Sequence, residues 1–454
     1  MLLRTFFLFF FSFLFFFQSF SQNSFQKDIL FLTSNELEGR YPGSTGDSLS
    51  QQYISSRYSQ FDIFPFIKSD SYAQKFEYIS QYRFESSLQI KNGTTTEELK
   101  QSRDFGIIHS ENENIIDLEC VFIGYGIGRS SLSAVKDKAV ITYFSSPLPS
   151  KGKEKRISKT ELILAGAKVI INICPEQKDL PKQKEKKVYR NRKDNDSIII
   201  LSLTKNHLDL FINEKEINDY DSLAAINLSL LPSFIESTST INLFVKRHEK
   251  KTVTANIIGL KKGKNDDFII IGGHYDHLGK DKENNLFYPG ANDNASGVAT
   301  LLYLAEKFNN MPLNCNILFI AFGAEEEGFL GSKYFVKNLP VKKENIRAMI
   351  NIDVVGQLRN DTLYYAKYNN CLDIIKSPKI VNNSNIILFE KDSGLSDQVP
   401  FFLASIPILY FSTGTFKQYH SAEDTEELIN YPGMNQIAEL IFDVIKAIDN
   451  NSVN

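Results

Sequence analysis

At 454 residues the chain is too long for one average core, which predicts two globular units. Hydrophobic residues make up 42% and charged residues 23%, the balance of an ordinary globular protein. A net charge of −3 gives no electrostatic reason to bind nucleic acid and directs attention to small or peptide substrates.

The chain opens with Met1-Leu2-Leu3-Arg4, followed by an almost unbroken Phe/Leu run from Phe6 to Phe17 and the small residues Ser19 and Ser21. About twelve apolar residues are too few to cross a bilayer that needs roughly twenty. Residues 1–21 therefore read as a signal peptide, with an uncleaved anchor as the alternative. The expectation is a secreted or periplasmic protein with no stable membrane span after cleavage. Export permits disulfides, yet Cys120, Cys174, Cys315 and Cys371 show no paired spacing, and sequence selects no bridge among them.

Residues 22–110 are mixed: a polar–apolar stretch, the turn-rich Glu38-Gly39-Arg40-Tyr41-Pro42-Gly43, and a helical pattern from Thr45 to Phe61. Residues 111–240 change texture. Separate apolar runs at 121–125, 139–143, 167–173 and 198–201 predict a small β-rich unit with one helix near 157–165. The run 182–193 carries seven basic side chains, but Glu185 interrupts it and only Tyr189 is aromatic, so it reads as a solvated loop.

From 241 to 450 strands and helices alternate. Strand-like runs at 253–258, 268–272, 316–322, 347–352, 362–366, 386–389 and 407–411 are interleaved with helical patterns at 294–309, 329–337, 396–404 and 434–449. This predicts an α/β fold with a mixed, largely parallel sheet flanked by helices, whose ligand sites lie beyond the carboxyl ends of its strands.

The chemistry falls at those ends. His274 and Asp276 leave the run 268–272, Asp293 precedes a helix, Glu325 and Glu326 follow 316–322, Asp353 follows 347–352, and Tyr419-His420 follow 407–411. A lone histidine is usually structural, Asp293 alone could be a helix cap, and paired glutamates alone could be a surface turn. Together they give two imidazoles and three carboxylates suited to a metal pair, plus a spare glutamate able to take a proton. Asp276 is spaced to receive the other ring N–H of His274. Competing motifs fail: His248-Glu249-Lys250-Lys251-Thr252 lacks a second zinc histidine, Gly124 to Gly128 lacks the third glycine of a dinucleotide loop, and no Gly-x-Ser-x-Gly elbow exists.

These residues resemble the co-catalytic di-zinc aminopeptidase family, which is related to glutaminyl cyclases, glutamate carboxypeptidase and transferrin-receptor ectodomains. The resemblance includes Glu38-Gly39-Arg40-x-Pro42-Gly43 and an inserted protease-associated domain within 111–240, ahead of a catalytic domain at 241–450. It implies two Zn2+ ions per chain, bridged by Asp293, with His274 and Asp353 on one and Glu326 and His420 on the other. Glu325 would be the general base, and Tyr419 would help to stabilise the tetrahedral intermediate. Asp424 matches a recurrent position with no role attached, and Gln398 stands where the family commonly has histidine. The implied activity is removal of N-terminal residues from peptides through a metal-bound hydroxide. The alternatives are a glutaminyl-peptide cyclotransferase and an inactive, receptor-like peptide-binding protein.

Overall fold

The computed structural model describes residues 24–68, 70–127, 129–144, 155–181, 186–187, 198–281, 284–369, 385–391 and 394–451. The leader 1–21, Cys371 and most of the basic run lie outside the described residues. No helix among the described residues is long and apolar enough to cross a membrane. Cys120, Cys174 and Cys315 are buried.

The chain divides into two compact units, one running to Tyr78 and resuming at Thr252, the other formed by Ile79–Lys251. The sequence predicts boundaries at 111 and 240; the division falls instead at 79 and 251. The reason is that the strands Ala73–Asn92 and Ile235–Lys261 run through both boundaries without a break in strand pattern.

In the first unit the sheet is built from β1 (Ile235–Lys261, from Thr252 onward), β2 (Phe268–His274), β3 (Asn316–Phe322), β4 (Ile346–Ile352), β5 (Thr362–Tyr368), β6 (Ile387–Glu390) and β7 (Ile408–Ser412). Their order is β6-β5-β7-β4-β2-β3-β1. Strands β7, β4, β2 and β3 are mutually parallel, whereas β1 and β5 run antiparallel to their neighbours β3 and β7. The chain passes from β2 to β3 on one side and later returns to β4 on the other, so β2 ends at a topological switch point, where α/β sheets leave a crevice.

Alternation along the strands assigns the two faces. Ile269, Ile271, Ile317, Phe319 and Ala321 join the larger core, and Ile270, Leu318, Ile320 and Phe322 join the smaller one. Helices α1 (residues 24–32), α2 (Thr45–Gln60), α3 (Ser296–Phe308) and α6 (Tyr431–Asn451) cover the first face. In α6 the stripe Met434, Ile437, Ala438, Ile441, Ile445 and Ile448 repeats at three and four residues and is buried there. Helices α4 (Leu330–Lys337) and α5 (Gln398–Leu403) cover the other through Phe335 and Phe401. Each such side chain contributes about 1.5–3 kcal/mol on burial.

In the second unit the strand order is Ile235–Lys261 (up to Lys251), Glu113–Gly124, Ala139–Thr142, Val169–Cys174, Ile199–Thr204 and Phe105–His109. The middle pairings are parallel. It holds the expected helix, at Lys159–Leu164, where Ser158 and Glu161 form a reciprocal cap, and also Glu214–Ile226, which the sequence reading leaves out. That helix buries only Tyr220 and Ala224, too sparse an apolar stripe to signal a helix.

Two glycines let α3 and the sheet approach closely at the switch point. A Cβ on Gly273 would lie 2.6 Å from the Ile352 carbonyl oxygen, and one on Gly297 would lie 2.5 Å from the same oxygen. Gly273→Ala is therefore expected to destabilise the fold by about 1–3 kcal/mol through overpacking. A urea midpoint unchanged from wild type would show that the carbonyl moves aside freely.

Candidate metal centre

The parallel strands bring the expected residues together. His274 is the last residue of β2, Asp353 follows β4 directly, and Glu325 and Glu326 follow β3 after the Gly323-Ala324 turn. Asp293 sits ahead of α3, in backbone that is not helical, and His420 lies beyond β7. Asn294 frees Asp293 from capping: its Oδ1 accepts the Gly297 N–H at 3.0 Å and the Val354 N–H at 3.1 Å.

Asp293 presents its two carboxylate oxygens to two separate sets. His274 Nε2 lies 3.3 Å from Asp293 Oδ1 and 3.3 Å from Asp353 Oδ1. His420 Nε2 lies 3.3 Å from Asp293 Oδ2 and 3.2 Å from Glu326 Oε1. Ligand atoms placed tetrahedrally around zinc at about 2.0 Å are separated by about 3.3 Å. An imidazole nitrogen has one proton at most and cannot satisfy two carboxylates, whereas a cation between the three atoms satisfies all of them. His420 Nε2, for its part, makes no hydrogen bond of acceptable geometry despite these neighbours. The donor set fits two hard, nitrogen-accepting cations that share Asp293.

Electrostatics agree. Burial raises the pKa of Asp293, but the flanking imidazoles of His274 and His420 reverse this and hold its carboxyl well below the usual range. Burial and the Asp293 charge likewise push Glu326 up, and His277 and His420 bring it down to about 2. Burial lowers the pKa of His274, yet Glu325, Asp293 and Asp353 raise it well above the ordinary imidazole value. For His420 burial acts downward and the Asp293 and Glu326 carboxylates upward, to about 9. Both histidines therefore sit where positive charge is favoured.

The role expected of Asp276 needs correction. His274 Nδ1 meets the Asp276 backbone oxygen at 3.1 Å, while the Asp276 carboxylate stands 3.9 Å away. That carboxylate instead accepts the backbone N–H groups of Glu325 at 2.9 Å and Glu326 at 3.1 Å, so it fixes the turn that presents both glutamates. Asp424 does the same for Asp293, accepting the N–H groups of Asn292 and Asp293 at 3.0 Å each. Glu325 is buried, with Oε2 4.0 Å from His274 Nε2. Tyr419 is 46% exposed, and its ring stacks on His420 at 3.9 Å.

Sequence reasoning missed His277. It is fully buried, its Nδ1 lies 3.1 Å from Glu326 Oε1, and it groups with Asp293 and Glu326 as potential ligands within 4.8 Å. A second imidazole three residues after His274 was the available signal. Gln398 lies in a buried network, accepting from Asn351 Nδ2 at 2.9 Å and donating to the Gly394 carbonyl at 3.0 Å.

Residues 256–445 match the sequence profile of Peptidase family M28. Over 205 residues the chain is 34% identical to aminopeptidase YwaD of Bacillus subtilis, covering 41% of this chain and 43% of that one. The chain thus spans less than half the length of that curated relative. An aminopeptidase from Aneurinibacillus sp. strain AM-1 shares the fold over 93% of both chains, with a TM-score of 0.54 and 22% identity. The zinc aminopeptidase BSAP of Bacillus subtilis does so over 93% of this chain and 94% of its own, with a TM-score of 0.53 and 21% identity.

At this turn Asp276→Asn removes one of two backbone acceptors and sets an amide N–H against a backbone N–H. Disturbing a group that orients metal ligands typically costs about 10–100-fold in metal affinity, which is the loss expected in a competitive chelator titration. Unaltered affinity would show that the turn holds without Asp276.

Proposed function

We propose that the protein is an exported zinc aminopeptidase with two Zn2+ ions per chain, acting on peptides that carry a free N-terminus. One observation carries this reading: the two oxygens of Asp293 face two histidine–carboxylate sets, each spaced as the ligands of one ion. When bound, the zinc pair supplies Lewis-acid polarisation of the scissile carbonyl and an activated water.

His274 and Asp353 would hold one ion, Glu326 and His420 the other, and Asp293 both. Glu325 follows from its position. It belongs to neither set, its backbone N–H is pinned by Asp276, and its carboxylate is shielded from solvent beside them. It is assigned the general base, taking a proton from the attacking water and passing it to the leaving amine. Burial first, and then the Asp293, Glu326, Asp353 and Glu325 carboxylates, raise the pKa of the Tyr419 phenol, so it stays protonated and can donate a hydrogen bond to the developing oxyanion. None of these groups comes from Ile79–Lys251, which is assigned the part of an inserted protease-associated domain. Export rests on the apolar leader at 6–17.

Glu325→Gln is expected to retain both ions while kcat falls by about 10²–10⁴-fold, the usual worth of general acid–base catalysis. Glu326→Gln should lose one ion, because an amide is a poorer ligand than a carboxylate. Metal analysis of the two variants checks the assignment, and zinc lost from the first but kept by an inactive second would exchange their roles.

Peptides beginning with glutamine separate the proposal from a cyclotransferase. Free glutamine should appear, and a chelator should abolish its release. Ammonia with a cyclised N-terminus would instead identify a cyclase.

A further inference from the structure

Arg40 is the largest fully buried side chain among the described residues and takes no part in the chemistry above. Its guanidinium donates only to backbone carbonyls: Nε to Tyr275 at 2.7 Å, Nη1 to Leu32 and to Pro289 at 2.6 Å, and Nη2 to Gly290 at 3.0 Å. Tyr275 is the residue after His274, and Pro289-Gly290 lead directly into the Asp293 loop. One planar fork therefore joins the segments that carry the first histidine and the bridging aspartate, a geometry an ammonium cannot reproduce.

The surrounding segment is built for this contact. Glu38, Gly39 and Arg40 all adopt positive φ, at 42°, 75° and 53°. Such backbone is unfavourable for the two residues with side chains and persists only where its surroundings hold it. A Cβ on Gly39 would come within 2.6 Å of the carbonyl oxygens of Gly279 and Tyr288, so glycine is required there. In addition, the Arg40 carbonyl accepts the His277 N–H at 3.4 Å, and the Gly39 carbonyl accepts the Gly279 N–H at 3.0 Å. Asp47 grips the same stretch from α2, accepting the Tyr275 hydroxyl at 2.7 Å.

The charge matters as well. Burial lowers the guanidinium pKa to about 10, against the raising influence of Asp276, Asp424, Asp293 and Glu326. Arg40 thus stays charged at neutral pH, a fixed cation among carboxylates that repel one another.

We propose that Arg40 is a positioning residue that preorganises the metal centre, holding the His274 and Asp293 segments at ligand spacing and offsetting their negative charge before any ion binds. This rests on the two-metal reading above.

The test uses the full chain as wild type, Arg40→Lys and Arg40→Met. Zinc affinity is measured by competition with a chromophoric chelator, and the cobalt-substituted forms are compared by their visible absorption. Arg40→Met is expected to bind zinc about 10–100-fold more weakly, with an altered cobalt spectrum, as outer groups that orient ligands typically do. Arg40→Lys, which keeps the charge but loses the fork, should fall between the two. Affinity within twofold of wild type and an unaltered spectrum, with only a lower melting temperature, would overturn the inference. Should the variants fail to fold, hydrogen exchange of metal-free wild type decides: the amides of His277, Gly279 and Ala295 should be protected, and exchange at the unfolded rate would refute preorganisation. A wild type that binds no zinc would instead refute the metal reading, a result distinct from zinc-binding variants that match wild type.

Discussion

Carboxylates gathered in a water-poor crevice repel one another, and this protein collects several of them at the ends of four parallel strands. Asp293, Glu325 and Asp353 are buried together, with Glu326 alongside. Such an arrangement is stable only with positive charge among it. Much of the surrounding architecture answers that need. His274 and His420 carry raised pKa values, Arg40 stands behind the loops, and the spacing of about 3.3 Å between their nitrogens and the carboxylate oxygens leaves room for cations.

Holding the candidate ligands in place falls mainly to groups outside the two histidine–carboxylate sets. Asp276 fixes the Glu325-Glu326 turn, Asp424 fixes the backbone at Asp293, Asn294 ties the start of α3 to the end of β4, and Arg40 ties two loops together. Each uses a side chain to satisfy buried backbone groups that irregular segments would otherwise leave unpaired. The same bonds that complete the fold therefore set the geometry of the site, since a loop free to relax would lose the ligand spacing.

The outlines of the catalytic unit were legible because its apolar runs alternate with helical periods, and the ligands fall in glycine-rich turns directly after them. His274, Asp293, Glu326, Asp353 and His420 could be picked out on that ground only as a set, since each alone has an ordinary structural reading. The role of Asp276 could not. A spacing of two residues suits a carboxylate–imidazole contact, but the chain turns so that the backbone oxygen meets the ring and the carboxylate points to the next loop. The unit boundaries were hidden for a similar reason, because strands that continue through both of them leave no change in local pattern.

By itself the sequence determined the α/β class, the strand ends where polar residues gather, and the residue types needed for a metal pair, because hydrophobic periodicity and turn chemistry are local properties. The tertiary structure decided which oxygen of Asp293 faces which histidine, that His277 reaches Glu326, and that Arg40, Asp276 and Asp424 hold the loops. The holding contacts join residues far apart in the chain, Asp293 to Asp424 or Arg40 to Gly290, through backbone atoms common to every residue. No side-chain pattern encodes such partners, and only the close approach of folded segments creates them.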